Sequence, residues 1–187
     1  MPLAVAAARL GKDPVDLALD LALANDLQAR FRMAVMNFDE KEVAELITDP
    51  NTIIALSDAG AHASQLCDAC YSTHLLGHWV RDRKVFTLEE AVHNLTQRPA
   101  EMFGITDRGV LAEGRPADVV VFDPKTVSPG PLKRVYDMPA GADRLVSEAS
   151  GIDAVIVNGR IIRQDNRDTV TADDKLPGRL LRHGRAA

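Results

Sequence analysis

The residues equipped for chemistry crowd into one window, "SDAGAHASQLCDACYSTHLLGH", residues 57–78, which holds Asp58, His62, Cys67, Asp68, Cys70, His74 and His78. Cys67, Cys70, His74 and His78 are side-chain types that bind zinc. A finger-like site needs about 12 residues between its Cys pair and its His pair, so that the chain can turn back around the ion. Here Cys70 and His74 are near neighbours on one helix, and the spacing argues against such a site. A redox role for the two thiols would need an electropositive, accessible setting that lowers their pKa, whereas their apolar neighbours predict packing. Asp58 remains, directly after the apolar run "TIIALS", with His62 four residues further on. A carboxylate so placed can move a proton during hydrolysis, or it can simply organise the Ser57-Asp58-Ala59-Gly60 turn. His62 could touch a substrate, hydrogen-bond that carboxylate, or stand in solvent, and the residues alone leave these readings open.

The elements that must position this window can be read from punctuation. Asp13 as N-cap and Pro14 at the first helical position open a helix over "DLALDLALAND", whose apolar residues predict a well-buried helix ending near Asn25 or Asp26. "RFRMAVMN", residues 30–37, has strand composition, and Asp39 opens a second helix with Glu42 as its capping-box partner, stopped by Asp49-Pro50. "TIIAL", residues 52–56, is a continuous β-branched run suited to a strand buried on both faces. The order helix, strand, helix, strand predicts an α/β fold with parallel strands. A helix from about Ser64 past Trp79 would then place Cys67, Cys70, His74 and His78 on one stripe, with Leu66 and Leu75 at its margins. Thr87 caps "LEEAVHNLTQ" with Glu90, Pro99 begins a further short helical turn, and Gly104 closes it. His93 reads as a packing or surface residue of that helix.

From Gly109 the texture changes. "GVLAEGRPADVVVFDP" and "DAVIVNGRIIRQ" are β-rich, and Asn158-Gly159 between two apolar runs predicts a hairpin with a type I′ turn. Val119, Val121, Ile156 and Ile161 should share one antiparallel sheet. The intervening "KTVSPGPLKRVYDMPAGADRLVSEASG" reads as a long surface excursion.

Composition narrows the function classes. With 187 residues, 46% of them apolar and 26% charged, the chain is globular in character. A net charge of −5 gives no electrostatic footprint for nucleic acid. No run approaches the roughly 20 apolar residues of a membrane span, and the start lacks a secretory signal. Two closely spaced cysteines fit a reducing compartment, and a cytoplasmic location with no nucleic-acid or membrane partner is the expectation.

Taken in order, "ALSDAGAH", "TLEEAVHNLTQRPAEMFGI", "DRGVLAEGRPADVVVFDP" and "VIVNGRIIR" make the chain resemble the C-terminal part of the amidohydrolase superfamily. The resemblance is closest to the D-aminoacylase (N-acyl-D-amino-acid deacylase) branch and spans roughly residues 11–165. It implies the last βα units of a metal-dependent (β/α)8 barrel over residues 1–105, part of a small β-sandwich over 106–165, and a polar tail over 166–187. It also implies hydrolysis of a non-peptide C–N bond in a small amide substrate. Asp58, at the end of the last barrel strand, would be general base and metal ligand, with His62 against the substrate. The cofactor implied is a divalent metal, zinc first, in the complete enzyme.

The same resemblance marks what this chain does not carry. The family's metal centre draws on a His-x-His pair of the first barrel strand, a bridging Lys, Glu or Cys, and further His residues, and no H-x-H occurs here. A full barrel takes about 250 residues. The expectation is therefore the carboxyl-terminal portion of a longer enzyme, holding no metal by itself, with the N-terminal barrel portion or a partner chain as its complement. An exposed sheet edge would favour self-association. Relatives often follow the strand-end Asp with a His-Pro-Arg segment whose Arg can bind a substrate carboxylate, while "AGAHASQLCDAC" contains neither Arg nor Pro. The alternative reading is a non-catalytic interaction or assembly module that keeps the enzyme's C-terminal architecture.

Overall fold

A computed structural model describes residues 1–187 apart from Val35, Leu56, His183 and Ala187, and apart from the side chains of Arg185 and Ala186. The chain forms two compact units, Met1–Val43 and Ala44–Ala187, and the division falls within a helix.

The first unit is built from helices. α1 (Leu3–Leu10) ends on Gly11 in the left-handed conformation, and α2 (Pro14–Ala24) starts as its sequence dictates. The Asp13 carboxylate accepts from the Val15 amide at 2.8 Å, satisfying one of the amides that a helix start leaves unpaired. α1 packs on α2, yet only Ala7 and Leu17 are buried along the two helices. The well-buried helix expected over α2 is thus not found: Leu19 is 58% exposed and Leu23 69%. Leu17 and Leu21 lie on one side of α2 and Leu19 and Leu23 on another, so covering all four needs neighbours on more than one side.

The strand expected over 30–37 does not form either. Its described residues enter no ladder, with Met33 77% and Met36 73% exposed, and Val35 lies outside the described residues. Asp39 does cap α3 (Glu40–Thr48), accepting from the amides of Lys41 and Glu42 at 2.9 and 3.3 Å.

In the second unit, Thr52–Ala55 is half-buried but enters no ladder, and Leu56 lies outside the described residues. The parallel strands expected from the sequence are therefore corrected: every ladder among the described residues is antiparallel. An apolar run becomes a strand only when neighbouring backbones meet its N–H and C=O groups, and the described residues of neither run enter a ladder.

The helix expected from Ser64 begins only at Tyr71. α4 (Tyr71–His74) continues into a π-helix, Leu75–Asp82, that buries Leu75, Leu76, Gly77 and Trp79. Gly77 sits at a close approach, since a Cβ there would lie 2.6 Å from the Val127 carbonyl oxygen. The Arg81 guanidinium donates to that same oxygen at 2.7 Å. α5 (Leu88–Leu95) carries the complete capping box expected: the Glu90 amide donates to the Thr87 hydroxyl, and the Thr87 amide donates back to the Glu90 carboxylate at 2.8 Å. The Thr87 amide first, and the Thr87 hydroxyl second, donate to the Glu90 carboxylate and hold it below its ordinary pKa. α6 (Gln97–Met102) follows, begun two residues before Pro99.

Strands β1 (Val119–Phe122), β6 (Ile152–Val157), β7 (Arg160–Gln164) and β8 (Arg167–Asp168) form a four-stranded antiparallel sheet in the order β1-β6-β7-β8. Val119 faces Ile156 and Ile156 faces Ile161, so the four apolar residues named from the sequence share one sheet. Asn158 and Gly159, at φ 47° and 81°, make the two-residue turn with the positive angles of type I′. The Arg108 guanidinium ties this turn to the rest of the unit, donating to Asp118 at 2.7 Å and to Asn158 at 3.1 Å.

The stretch expected as a surface excursion is structured. It contains β2 (Ser128–Pro129), β3 (Lys133–Val135), β4 (Arg144–Val146) and β5 (Ala149–Ser150), paired β2 to β5 and β3 to β4, and Val127 beside β2 has no exposed surface. Past β8, the Pro177 carbonyl accepts from Asn158 at 2.6 Å and the Gly184 carbonyl from the Thr106 amide at 2.9 Å. A last pair, β9 (Leu181–Arg182) with β10 (Arg185–Ala186), ends the chain.

Candidate active site

Asp58 lies on a loop between Thr52–Ser57 and α4. Its backbone carbonyl accepts from the Ala61 amide at 3.1 Å, and Gly60 at φ 90° lets the chain reverse. His62 then adopts a left-handed φ of 48°, and its carbonyl accepts from the amides of Gln65 and Leu66 at 2.7 and 3.2 Å. The loop is thus a sequence of tight local turns that presents both the Asp58 and the His62 side chain to solvent. No hydrogen bond joins the two side chains, and no ion pair engages the Asp58 carboxylate, among the described residues. Beside it the Ser57 hydroxyl is buried with no hydrogen-bond partner among those residues.

Cys67 and Cys70 are free, half-buried, and placed before the helix, so the four-residue stripe expected from helical spacing breaks at its first two members. The Cys70 thiol lies 3.8 Å from the Cys67 carbonyl. His74 and His78 stack with ring centroids 4.8 Å apart and planes inclined by 13°, while Trp79 meets His78 edge-on at 5.0 Å. Partial burial first, and His78 second, hold the His74 imidazole below its ordinary pKa. A ligand lone pair lies in the plane of its ring, so in two stacked rings the lone pairs lie in separate, near-parallel planes and do not converge on one ion. Among the described residues no three His, Cys, Asp or Glu side chains converge as a metal site. The donors among the described residues therefore do not by themselves fit a bound metal. His93 stands exposed on α5.

A shallow cleft of ≈ 350 Å³ lies elsewhere, lined by Ala100, Glu101, Ile105, Arg108 and Arg115 among others, and takes in none of the candidate residues. What the sequence reading missed is the support under the Asp58 loop. The Leu145 amide donates to the Ala63 carbonyl at 2.8 Å, and Arg134 donates to the Ser64 carbonyl at 3.0 Å, both from the β3–β4 hairpin. The available signal was two short β-alternating runs, "KRV" and "RLV", on either side of a Pro-Ala-Gly turn.

Comparison with known proteins gives a consistent picture. The Amidohydrolase family is matched along residues 3–163. D-aminoacylase of Alcaligenes xylosoxydans xylosoxydans is 33% identical over 165 residues, which are 87% of this chain and 31% of that protein. N-acyl-D-glutamate deacylase of the same organism is 40% identical over 110 residues, 59% of this chain and 20% of that one. Among solved structures, N-acyl-D-glutamate deacylase from Bordetella bronchiseptica, complexed with zinc and a phosphonate mimic of the tetrahedral intermediate, gives a TM-score of 0.51 at 30% identity, covering 96% of this chain and 34% of that one. A D-aminoacylase crystal structure gives a TM-score of 0.51 at 29% identity, with 90% and 32% covered. The chain spans about a third or less of the length of the curated relatives it matches.

Proposed function

This chain belongs to the amidohydrolase family, and we propose that within an enzyme of that family it supplies the proton-carrying carboxylate, Asp58, for hydrolysis of a non-peptide C–N bond. The observation that carries the proposal is the state of Asp58: at the end of an apolar segment, exposed, and engaged in no side-chain hydrogen bond or ion pair among the described residues. A carboxylate locked to an arginine would be a poor proton carrier, whereas this one is available.

Amide hydrolysis has two proton problems. The attacking water must lose a proton as its oxygen bonds to the carbonyl carbon, and the leaving nitrogen must gain one as the C–N bond breaks. One carboxylate beside both atoms handles the two in turn, taking the proton from water and returning it to nitrogen. The substrate class we propose is an N-acyl amino acid, with the D-series favoured by the relatives named D-aminoacylase and N-acyl-D-glutamate deacylase. His62, exposed four residues on, would touch that substrate. The enzyme's cofactor would be a divalent metal, zinc in the first instance, toward which Asp58 would be a donor from this chain. The remaining donors would come from the N-terminal barrel portion or from a partner chain.

The finer architecture belongs to the same proposal: last βα units of a barrel over 1–105, part of a β-sandwich over 106–165, and a polar tail over 166–187. No helix among the described residues is long and apolar enough to cross a membrane, and the location we propose is cytoplasmic.

The test is steady-state kinetics on a panel of N-acetyl amino acids of both hands, using the enzyme that contains this chain. Asp58→Asn keeps the size and turn chemistry of the residue and removes its basicity, so kcat should fall about 10²- to 10⁴-fold with KM much less changed. Cys70→Ala is the control and should be near neutral. Activity of Asp58→Asn within a few-fold of the parent would sink the assignment and leave the assembly-module reading, which the exposed apolar surface of α2 supports.

A further inference from the structure

The turns inside the Asp58–His62 loop fix its shape but not its aim. Each of its internal hydrogen bonds spans only a few residues: Ala61 to Asp58, and Gln65 and Leu66 to His62. A unit closed only on itself can swing as a body about its two ends. Among the described residues, two hydrogen bonds reach the loop from elsewhere, and both come from the β3–β4 hairpin, far away in sequence.

We propose that Arg134 is a positioning residue for the Asp58–His62 loop, its guanidinium Nη1 donating both to the Asp143 carboxylate and to the Ser64 carbonyl. Arg134 sits in the middle of β3, opposite Leu145 of β4. Asp143, the residue just before β4, pairs with it across the hairpin, and both side chains keep only 24% of their surface exposed. That pairing sets the direction of the guanidinium fork. A planar group with five donors can serve a carboxylate and a carbonyl at once, which a lysine ammonium on a flexible stem does far less well. The second grip, Leu145 amide to Ala63 carbonyl at 2.8 Å, comes from the strand facing Arg134, so the hairpin holds two adjacent carbonyls of the loop. The left-handed His62 just before them is a conformation that non-glycine residues keep only when their surroundings enforce it.

The inference rests on the reading of Asp58 as proton carrier, because only then does aiming the loop bear on rate. Displacing a reacting group by about 1 Å can cost about 10²-fold in rate. The experiment is hydrogen exchange at the Gln65 and Leu66 amides, together with steady-state kinetics on N-acetyl amino acids, in the enzyme containing this chain as parent, Arg134→Ala, Arg134→Lys and Lys133→Gln. Lys133 is the neighbouring strand residue, and its ammonium pairs with exposed Glu148 at 3.2 Å. Arg134→Ala should speed exchange at the two loop amides at least about tenfold and lower kcat about 10- to 100-fold with a rise in KM. Arg134→Lys should fall between Arg134→Ala and the parent, and Lys133→Gln should match the parent. Unchanged protection across β6 and β7 in the same experiment shows that the fold is kept.

Loop amides that exchange no faster in Arg134→Ala than in the parent overturn the proposal. So does faster exchange with unchanged kinetics while Asp58→Asn remains crippled. A harmless Asp58→Asn would instead fail the reading of Asp58, and exchange alone would then decide whether Arg134 holds the loop.

Discussion

The two units of the chain treat similar apolar sequence in opposite ways. In Met1–Val43 the leucine-rich α2 buries Leu17 and leaves Leu19 58% and Leu23 69% exposed. In Ala44–Ala187 the π-helix buries Leu75 to 3%, Leu76 to 7% and Trp79 to 7%, with Val127 at 0% beside it. Composition does not separate them, since both are rich in leucine. The difference is whether elements of the same unit arrive to cover the surface. The second unit brings β2 and α5 against the π-helix, while the first has one helix against another. Apolar patterning declares a demand for partners, and only tertiary contacts meet it.

The sharpest way to break this comparison is one substitution made in both units. Leu75→Ala removes a buried side chain and should lower stability by about 2–5 kcal/mol. Leu23→Ala, made on an exposed face, should stay within about 0.5 kcal/mol. Denaturant titrations of the chain followed by helical circular dichroism measure both, with Trp79 fluorescence reporting the second unit. Equal losses would mean that α2 is covered after all.

Gly77→Ala sharpens the account of the π-helix. In an open helix the change from glycine to alanine stabilises by about 0.5–1 kcal/mol. Here the new methyl would meet the Val127 carbonyl oxygen at 2.6 Å. The sign should therefore reverse, to a loss of about 1–3 kcal/mol from overpacking. A gain in thermal midpoint would show that the helix does not dock on Val127.

The smallest expected effect is acid sensitivity at His74. Its folded pKa lies below the ordinary 6.5, so between the two values the unfolded chain binds more protons. Stability from this group is full above 6.5 and declines as pH falls from there through the lowered folded value. Thermal melts between about pH 7.5 and about pH 5 should show that decline, and His74→Gln should flatten it. An unchanged slope in His74→Gln would assign the acid sensitivity elsewhere.

Several features were legible because they are local. The Asp13 and Thr87 caps, the helices they open and the Asn158-Gly159 turn depend on residues a few positions apart, and they stand where the sequence reading put them. The helix expected from Ser64 was misjudged because turn formation around Gly60 and His62 extends to Gln65, which delays helical geometry to Tyr71. The hairpin of β3 and β4 was hidden because three-residue strands carry too little alternation to stand out from loop composition.

The sequence by itself determined the family, the caps and the antiparallel β6–β7 hairpin, since each is written in neighbouring residues or in an ordered set of motifs. Tertiary structure alone decided whether 30–37 and 52–56 pair as strands, which leucines are covered, and what holds the Asp58 loop. The physical reason is the same in each case. A strand's hydrogen bonds, an apolar face and a loop's orientation are each completed by groups distant in sequence, and no local pattern specifies whether those groups arrive.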